Sequence, residues 1–316
     1  MKKLSLLLLA IAIAQAAFAQ TKISSATFGA IEARSIGPAV MGGRITAIEG
    51  VNSSPKTLYV GTAGGGLWKS NTAGMTFEPI FDKYPQSIGC LAIDQNKPET
   101  IWVGTGESNM RNSVAVGLGI YRSTDAGRNW SKMGLENSEH ISKIVLHPTD
   151  ANTLYVAVPG KLWSDSPDRG LYKTTDGGKT WAKILYTDEK TGCADILMDP
   201  RNPDVLLASM WQFRRTPYSF NSGGPGSALH KSTDGGKTWR KITNGLPTTE
   251  FGRIALAHAP ISRHRRIQPW PTTAIRPTTP TRVMTIMTTS PAASSSAGSA
   301  APITRTSVPC TWCSRW

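Results

Sequence analysis

Apolar residues along this chain come in short runs that alternate with polar ones and stop at Gly, Pro, Asn or Asp. A period of two with frequent breaks predicts short strands joined by tight turns. The first group runs through Gly43-Arg44-Ile45-Thr46-Ala47-Ile48, Thr57-Leu58-Tyr59-Val60-Gly61, Gly66-Leu67-Trp68-Lys69-Ser70 and Thr76-Phe77-Glu78-Pro79-Ile80. The same order of four strands recurs, with second strands at Thr100-Ile101-Trp102-Val103-Gly104, Leu154-Tyr155-Val156-Ala157 and Val205-Leu206-Leu207-Ala208. The repeats span about 42–81, 87–133, 140–184 and 193–242, and a fifth begins over 251–260 at Phe251-Gly252-Arg253-Ile254-Ala255-Leu256. Pro and Asn between first and second strands, as in His147-Pro148-Thr149-Asp150-Ala151-Asn152, set turn geometry.

One turn recurs between third and fourth strands. It reads Ser232-Thr233-Asp234-Gly235-Gly236-Lys237-Thr238-Trp239, with copies from Thr174 to Trp181 and Ser123 to Trp130 and a degraded one from Ser70 to Phe77. The carboxylate can accept nearby backbone N–H groups, Gly supplies a positive φ, and the hydroxyl adds a weaker local bond. The aromatic that follows returns to the sheet and buries a large apolar area. The structural set is Ser123, Asp125, Gly127 and Trp130; then Asp176, Gly178 and Trp181; then Ser232, Asp234, Gly236 and Trp239. In the first copy Thr72 replaces the Asp and Phe77 the Trp.

The pattern [ST]-x-D-x-G-x-x-W resembles the Asp-box, or BNR repeat, of β-propeller proteins, among them sialidases, sortilin-type (VPS10-like) receptors and xyloglucan-cleaving glycosidases. Across about residues 36–258 the chain is similar to secreted bacterial propellers of the sortilin-like, glycosyl-hydrolase-like group. The resemblance implies an all-β fold: a β-propeller of four-stranded antiparallel blades with Asp-box turns, incomplete at about four blades plus the start of a fifth. It does not imply one activity, because the box is a structural turn in families of unrelated chemistry. The xyloglucan-cleaving enzymes carry a catalytic Asp in a Thr-Asp-x-Gly-Gly segment after the second strand of the first blade. The matching stretch here is Thr62-Ala63-Gly64-Gly65-Gly66. Ala63 cannot transfer a proton, so that mechanism does not carry over, and no arginine set matches the carboxylate-binding triad of sialidases.

The termini add a location. Lys2 and Lys3, an apolar stretch from Leu4 to Ala17, and Ala17-Phe18-Ala19 before Gln20 read as a cleavable signal peptide over 1–19. That stretch is short of the ~20 residues of a membrane span. The protein is thus expected to be secreted or periplasmic, with no membrane span. The net charge is +14, but all 21 acids precede residue 261, and Arg263, Arg265, Arg266, Arg276, Arg282, Arg305 and Arg315 lie beyond it. Without that tail and the leader lysines the balance is modest, so a nucleic-acid partner is not expected. Cys90 and Cys193 fall in blades that are not adjacent and read as buried thiols. Cys310 and Cys313 have redox or zinc spacing but no strand, helix or second pair around them. No metal or cofactor is expected, and oligomeric state has no signal in the sequence.

Chemistry belongs to the loops between second and third strands, which emerge opposite the Asp-boxes and are long in three blades: Glu107 to Gly117, Pro159 to Arg169 and Met210 to Ser227. Arg111, Trp163, Arg169, Trp211, Phe213, Arg214 and Tyr218 are the binding candidates there. Rings that stack on apolar faces beside fixed donors suit a glycan or a peptide or protein ligand. Trp163, Trp211 and Phe213 equally suit packing of their loops onto the sheet, and Arg214 suits an ion pair. A glycosidase needs two carboxylates across a cleft, and Glu107, Asp165 and Asp168 are the acids so placed. The leading expectation is a binding or scaffolding propeller rather than an enzyme. The alternatives are a glycoside hydrolase with part of its site in missing blades, or an inactive fragment.

After about residue 259 the pattern stops. From Ile261 to Trp316 there is no Asp, Glu, Lys, Asn, Leu, Phe or Tyr. The stretch reads either as a Thr/Ser/Pro-rich disordered linker or as the product of a reading-frame shift near Ala259. The shift is favoured, because composition changes inside a predicted strand. Sequencing the coding DNA tests it: an alternative frame should restore strand and Asp-box signals downstream, and their absence from both frames refutes the shift.

Overall fold

The computed structural model describes residues 43–258 and the backbone of a short strand at 287–288. The expected leader, residues 259–260 of the fifth repeat, and the tail with Cys310 and Cys313, apart from 287–288, lie outside the described residues. Apart from one 3-10 turn, Glu136–Ser138, the regular structure described is β.

Four antiparallel sheets follow one another along the chain. The first holds β1 (Ile45–Val51), β2 (Ser54–Thr62), β3 (Leu67–Ser70) and β4 (Glu78–Pro79). The second holds β5 (Ile88–Ile93), β6 (Ile101–Thr105), β7 (Ile120–Ser123) and β8 (Ser131–Lys132). The third holds β9 (Lys143–Leu146), β10 (Leu154–Val158), β11 (Gly170–Thr174) and β12 (Ala182–Leu185). The fourth holds β13 (Thr191–Asp199), β14 (Asn202–Thr216), β16 (Ala228–Ser232) and β17 (Arg240–Ile242), and β15 (Ser219–Ser222) pairs with the far end of β14. A pair, β18 (Ile254–Ala255) with β19 (Met287–Thr288), starts a fifth unit. Each sheet is a meander in chain order, so the fold is an incomplete β-propeller of four blades plus the start of a fifth. The stretch from Met210 to Ser227 is not the plain loop expected. β14 runs on to Thr216 and turns back through β15, making a ribbon that projects beyond the blade.

Strand alternation gives each blade a backward and a forward face. Ile88, Leu91, Ile101, Val103 and Tyr121 of the second blade face back onto Tyr59, Leu67 and Phe81. Ile141, Ile144, Leu154, Val156 and Tyr172 repeat the arrangement on the third, against Cys90, Trp102 and Ile120. Ile196, Leu206 and Ala208 repeat it on the fourth, against Tyr155, Ala157 and Leu171. Burying one such side chain contributes about 1.5–3 kcal/mol, so these junctions carry most of the hydrophobic stabilisation. Cys90 and Cys193 sit inside them as free, buried thiols. Burial raises both thiols, Cys90 to about 12.

Polar bonds fasten all three junctions forward and the first two in both directions. Lys69 lies over the Tyr59 ring and donates to the Ala126 carbonyl of the next blade at 3.3 Å. Arg122 lies over Trp102 and reaches Gly177 O at 3.5 Å; Lys173 lies over Tyr155 and reaches Gly235 O at 2.8 Å. In return Trp130 donates Nε1 to Ile80 O of the blade behind at 2.9 Å, and Trp181 to Met133 O at 2.6 Å. The carbonyls reached by the cations belong to the Asp-Gly turns, where Gly is needed twice over. Gly127 and Gly236 have φ of 91° and 87°, and a Cβ there would lie 2.6 Å from Ile80 and 2.7 Å from Ile184 of the preceding blade.

The turn carboxylates are acceptors throughout. Asp125 Oδ1 accepts from Asn129 N at 2.9 Å and from Ser123 Oγ at 2.8 Å, and Oδ2 from Asn129 Nδ2 at 2.7 Å. Asp176 takes Thr180 Oγ1 at 2.6 Å together with the Lys179 and Thr180 amides, and Asp234 takes the Thr238 amide and hydroxyl. In the first blade Thr72 Oγ1 stands in, accepting from Thr76 N at 2.9 Å with one oxygen in place of two. The backbone N–H of Asn129 leads in holding Asp125 down at about 2, and the Thr180 and Thr238 hydroxyls lead in lowering Asp176 and Asp234. A carboxylate depressed in the folded state adds stability that is complete above its unfolded pKa of about 4 and is lost as pH falls through the folded value. Stability should therefore decline between about pH 4 and pH 2. The combined Asp125→Asn, Asp176→Asn and Asp234→Asn variant should show a flatter decline in melting temperature over that window; an unchanged slope would exclude these turns as its source.

Candidate functional site

The residue just ahead of the first strand points to the same place in several blades. Arg44, Ser87 and Arg253 occupy this position, His140 lies a little further ahead of β9, and all four meet the segment that follows β6. Arg44 holds the Glu107 carboxylate through Nε at 3.0 Å and Nη2 at 2.7 Å. Ser87 Oγ accepts from Glu107 N at 2.9 Å. Arg253 donates to Ser108 O at 2.8 Å and Asn109 Oδ1 at 3.2 Å. His140 is fully buried beside the Glu107 backbone, with no hydrogen-bond partner for either ring nitrogen among the described residues. Burial pushes its pKa down to about 4, so it is neutral at neutral pH.

Glu107 is itself buried and also accepts from Arg111 Nη2 at 3.2 Å. Both its oxygens are therefore engaged by guanidinium groups. Asp165 pairs with Arg214 at 2.7 Å, both about two-fifths exposed. Asp168 accepts weakly from Ser166 Oγ at 3.4 Å, and its carbonyl takes the Tyr172 hydroxyl. The three acids thus sit in three separate settings.

The aromatic candidates divide. Trp211 and Phe213 stack with centroids 4.3 Å apart and are buried with Leu162 and Ala194, and Met110, Val114 and Phe220 pack around them. Loops of three blades meet in this cluster. Arg169 has no exposed surface; it lies 4.2 Å over the Phe213 ring and donates to the carbonyls of Lys190, Lys161 and Ser164. Burial, assisted by Arg214, pushes it down to about 10, still a cation at neutral pH. Arg253 covers Trp211 from the other side at 5.6 Å. Trp163 and Tyr218 are the exposed rings, at 44% and 90%. The β14–β15 ribbon carrying Tyr218 is strapped to the loop carrying Trp163 by Arg215 N to Leu162 O at 3.1 Å and by the Arg214–Asp165 pair.

Arg44, Arg253 and His140 were not among the candidates. The tripeptide Gly-Arg-Ile at 43–45 and again at 252–254 would have marked the two arginines as equivalent. The cleft lined by Leu135, Glu136, Asn137, Ser138, Asp168 and Tyr172 holds about 100 Å³. Ligand pockets usually hold about 300–1,000 Å³, so this cleft is small for one. Among the described residues no group of three or more His, Cys, Asp or Glu could hold a metal ion, and no helix is long and apolar enough to cross a membrane.

Known proteins share parts of this architecture. The family model described as "Sortilin-Vps10: Sortilin, neurotensin receptor 3" matches residues 119–269. The xyloglucanase Xgh74A of Acetivibrio thermocellus is 26% identical over 225 residues, which cover 59% of this chain and 24% of that protein. The photosystem II assembly lipoprotein Ycf48 of Nostoc sp. is 26% identical over 158 residues, covering 44% of this chain and 45% of its own. Among solved structures, an ancestral GH74 enzyme superposes with a TM-score of 0.53 at 19% identity, over 68% of this chain and 27% of that one. The chain thus spans about a quarter of the length of the xyloglucanases it matches. These similarities, with the four-stranded repeats, describe a β-propeller of the sortilin and BNR type.

Proposed function

We propose that this protein is a secreted or periplasmic propeller that binds a glycan on the open surface formed by the three loops opposite the Asp-box turns. One observation carries the reading: the loops of three blades are locked over a single buried cluster, which leaves Trp163 and Tyr218 exposed on two of those loops, with Arg214 and Arg111 on the same loop set. Exposed rings on a fixed base can stack on sugar faces, and the guanidinium groups supply donors for hydroxyls or carboxylates. In this reading Trp211, Phe213 and Arg169 support the surface from beneath, because their own faces are used on one another. The kinship with xyloglucanases supports a polysaccharide ligand, and a peptide is the other outcome that the same surface chemistry allows.

Hydrolysis is the weaker reading. Glu107 is tied to two arginines, Asp165 to a third, and Ala63 stands where the resemblance to xyloglucan-cleaving enzymes would require an acid.

Binding to a polysaccharide array tests the proposal. Trp163→Ala and Tyr218→Ala should each weaken glycan binding by about fivefold, the equivalent of a lost stacking contact of about 1 kcal/mol. Binding that is unchanged in both variants, or confined to peptides, would sink it. Glu107→Gln separates structure from catalysis: it should lower unfolding free energy by about 2 kcal/mol, the scale of a hydrogen bond to a charged group. Reducing-sugar release by the wild type that vanishes in Glu107→Gln at unchanged stability would restore the hydrolase reading.

A further inference from the structure

The first two seams differ at one place on the loop face. By strand register Tyr172 corresponds to Tyr121. In the first seam the connection from β4 to β5 covers Tyr121 with two rings, Phe81 edge-on with centroids 5.4 Å apart and Tyr84 at 5.6 Å. The connection from β8 to β9, Met133 to Ser142, has no Phe, Tyr or Trp. Leu135, Asn137 and Ser138 of that connection instead line the cleft of about 100 Å³ beside Tyr172 and Asp168. Asp168 lies near the end of the loop that carries Trp163, so the cleft belongs to the loop face.

Polar groups without partners collect there. Ser138 is 2% exposed, and its hydroxyl has no hydrogen-bond partner among the described residues. A hydroxyl buried in that way costs free energy until a partner meets it. The Asp168 carboxylate has only the 3.4 Å contact with Ser166, and among the described residues no hydrogen bond holds the Asn137 side-chain amide. The turn that carries Asn137 and Ser138 is also strained. Leu135 and Glu139, on either side of it, have φ of 58° and 54°, two of the four non-glycine residues at positive φ among the described residues. Strain of this kind gathers at ligand sites, where the surroundings hold it.

Size and charge narrow the occupant. At about 30 Å³ for a group the size of a water, the cleft takes about three such groups, one edge of a sugar ring. The Tyr172 hydroxyl is spent on Asp168 O at 2.9 Å, which leaves its ring and Leu135 as apolar walls. Lys132 pairs with Glu136 at 3.4 Å, and Lys183 lies 5.6 Å over the Tyr172 ring and donates to Pro167 O, so cations already stand beside both acids. A neutral polyol suits that balance better than an ammonium group. Its hydroxyls can donate to a carboxylate and exchange bonds with an amide and a hydroxyl, and its C–H face can lie on the ring that Phe81 and Tyr84 cover in the first seam.

We propose that this cleft is a subsite for one sugar residue, whose neighbouring hydroxyls bond Asp168, Asn137 and Ser138 while its apolar face lies on Tyr172. The assignment deepens the glycan reading and rests on it for the class of ligand. Saturation-transfer NMR on the full chain with D-glucose, D-xylose and D-galactose tests it. At least one sugar should take up saturation, and its affinity on titration should fall about tenfold in Asp168→Asn, the loss of a hydrogen bond to a charged group. Ser138→Ala should lower that affinity about fivefold yet raise the melting temperature of the sugar-free protein, because it removes an unpaired buried hydroxyl. Asn137→Tyr, which offers the cleft a ring as the first seam has, should abolish binding with unchanged far-UV circular dichroism. No saturation of any of the three sugars, an affinity unchanged in Asp168→Asn and Asn137→Tyr, or saturation of methylammonium in place of the sugars would each overturn the proposal. The two readings fail separately. Sugar binding indifferent to Asp168→Asn beside polysaccharide binding lost in Trp163→Ala removes the cleft alone, and the reverse pair of results keeps the cleft and removes the exposed rings.

Discussion

Everything in this molecule rests on the seam between adjacent blades. A single blade cannot bury its two faces, and each strand is too short to hold by ladder bonds alone, so stability resides in contacts between repeats that are neighbours in sequence. The seam combines three terms of different kinds. Aliphatic side chains meet face to face; a Lys or Arg resting on an aromatic ring reaches forward to a turn carbonyl; and at two of the three seams a Trp reaches back to the residue after the last strand of the blade behind. The apolar term supplies most of the energy, and the two polar reaches fix how far one sheet can slide over the next. The Asp-Gly turn is central because it presents both the carbonyl that receives the cation and the glycine whose missing side chain lets the sheets approach.

Much of this could be read in the residues. Strand order and the turns depend on local signals, period-two alternation and Asp-Gly chemistry, which tertiary structure seldom overrides. The loop face was legible for the same reason, since it follows from which strands a segment joins. What escaped was the division of labour among its residues. Trp211 and Tyr218 look alike as aromatics in one long insertion, yet β14 continues and folds back through β15, turning the first inward and leaving the second at the tip. Arg44 escaped because it sits just before a strand, where a lone polar residue reads as a turn, and its partner Glu107 lies in another blade.

The charges of the loop face are arranged for construction. Glu107 ties the first blade to the loop of the second, Asp165 ties the loop of the third to the ribbon of the fourth, and Asp195 ties the fourth blade to the segment after it. Arg169 serves the same end without an acid, gathering three carbonyls that the irregular loop would otherwise leave unsatisfied. Acids engaged in this way tie the loops and blades to one another.

The fastening of the seams bears on how such a chain can change in length. Each seam draws on one stretch of about fifty residues and the next, and the reaching cation and its receiving turn recur at all three seams. Duplicating or deleting a whole unit therefore creates no new type of contact and breaks none that the remaining copies need. Insertion of part of a unit would separate a cation from its turn and misalign every later blade. Growth by whole copies is the route this architecture leaves open.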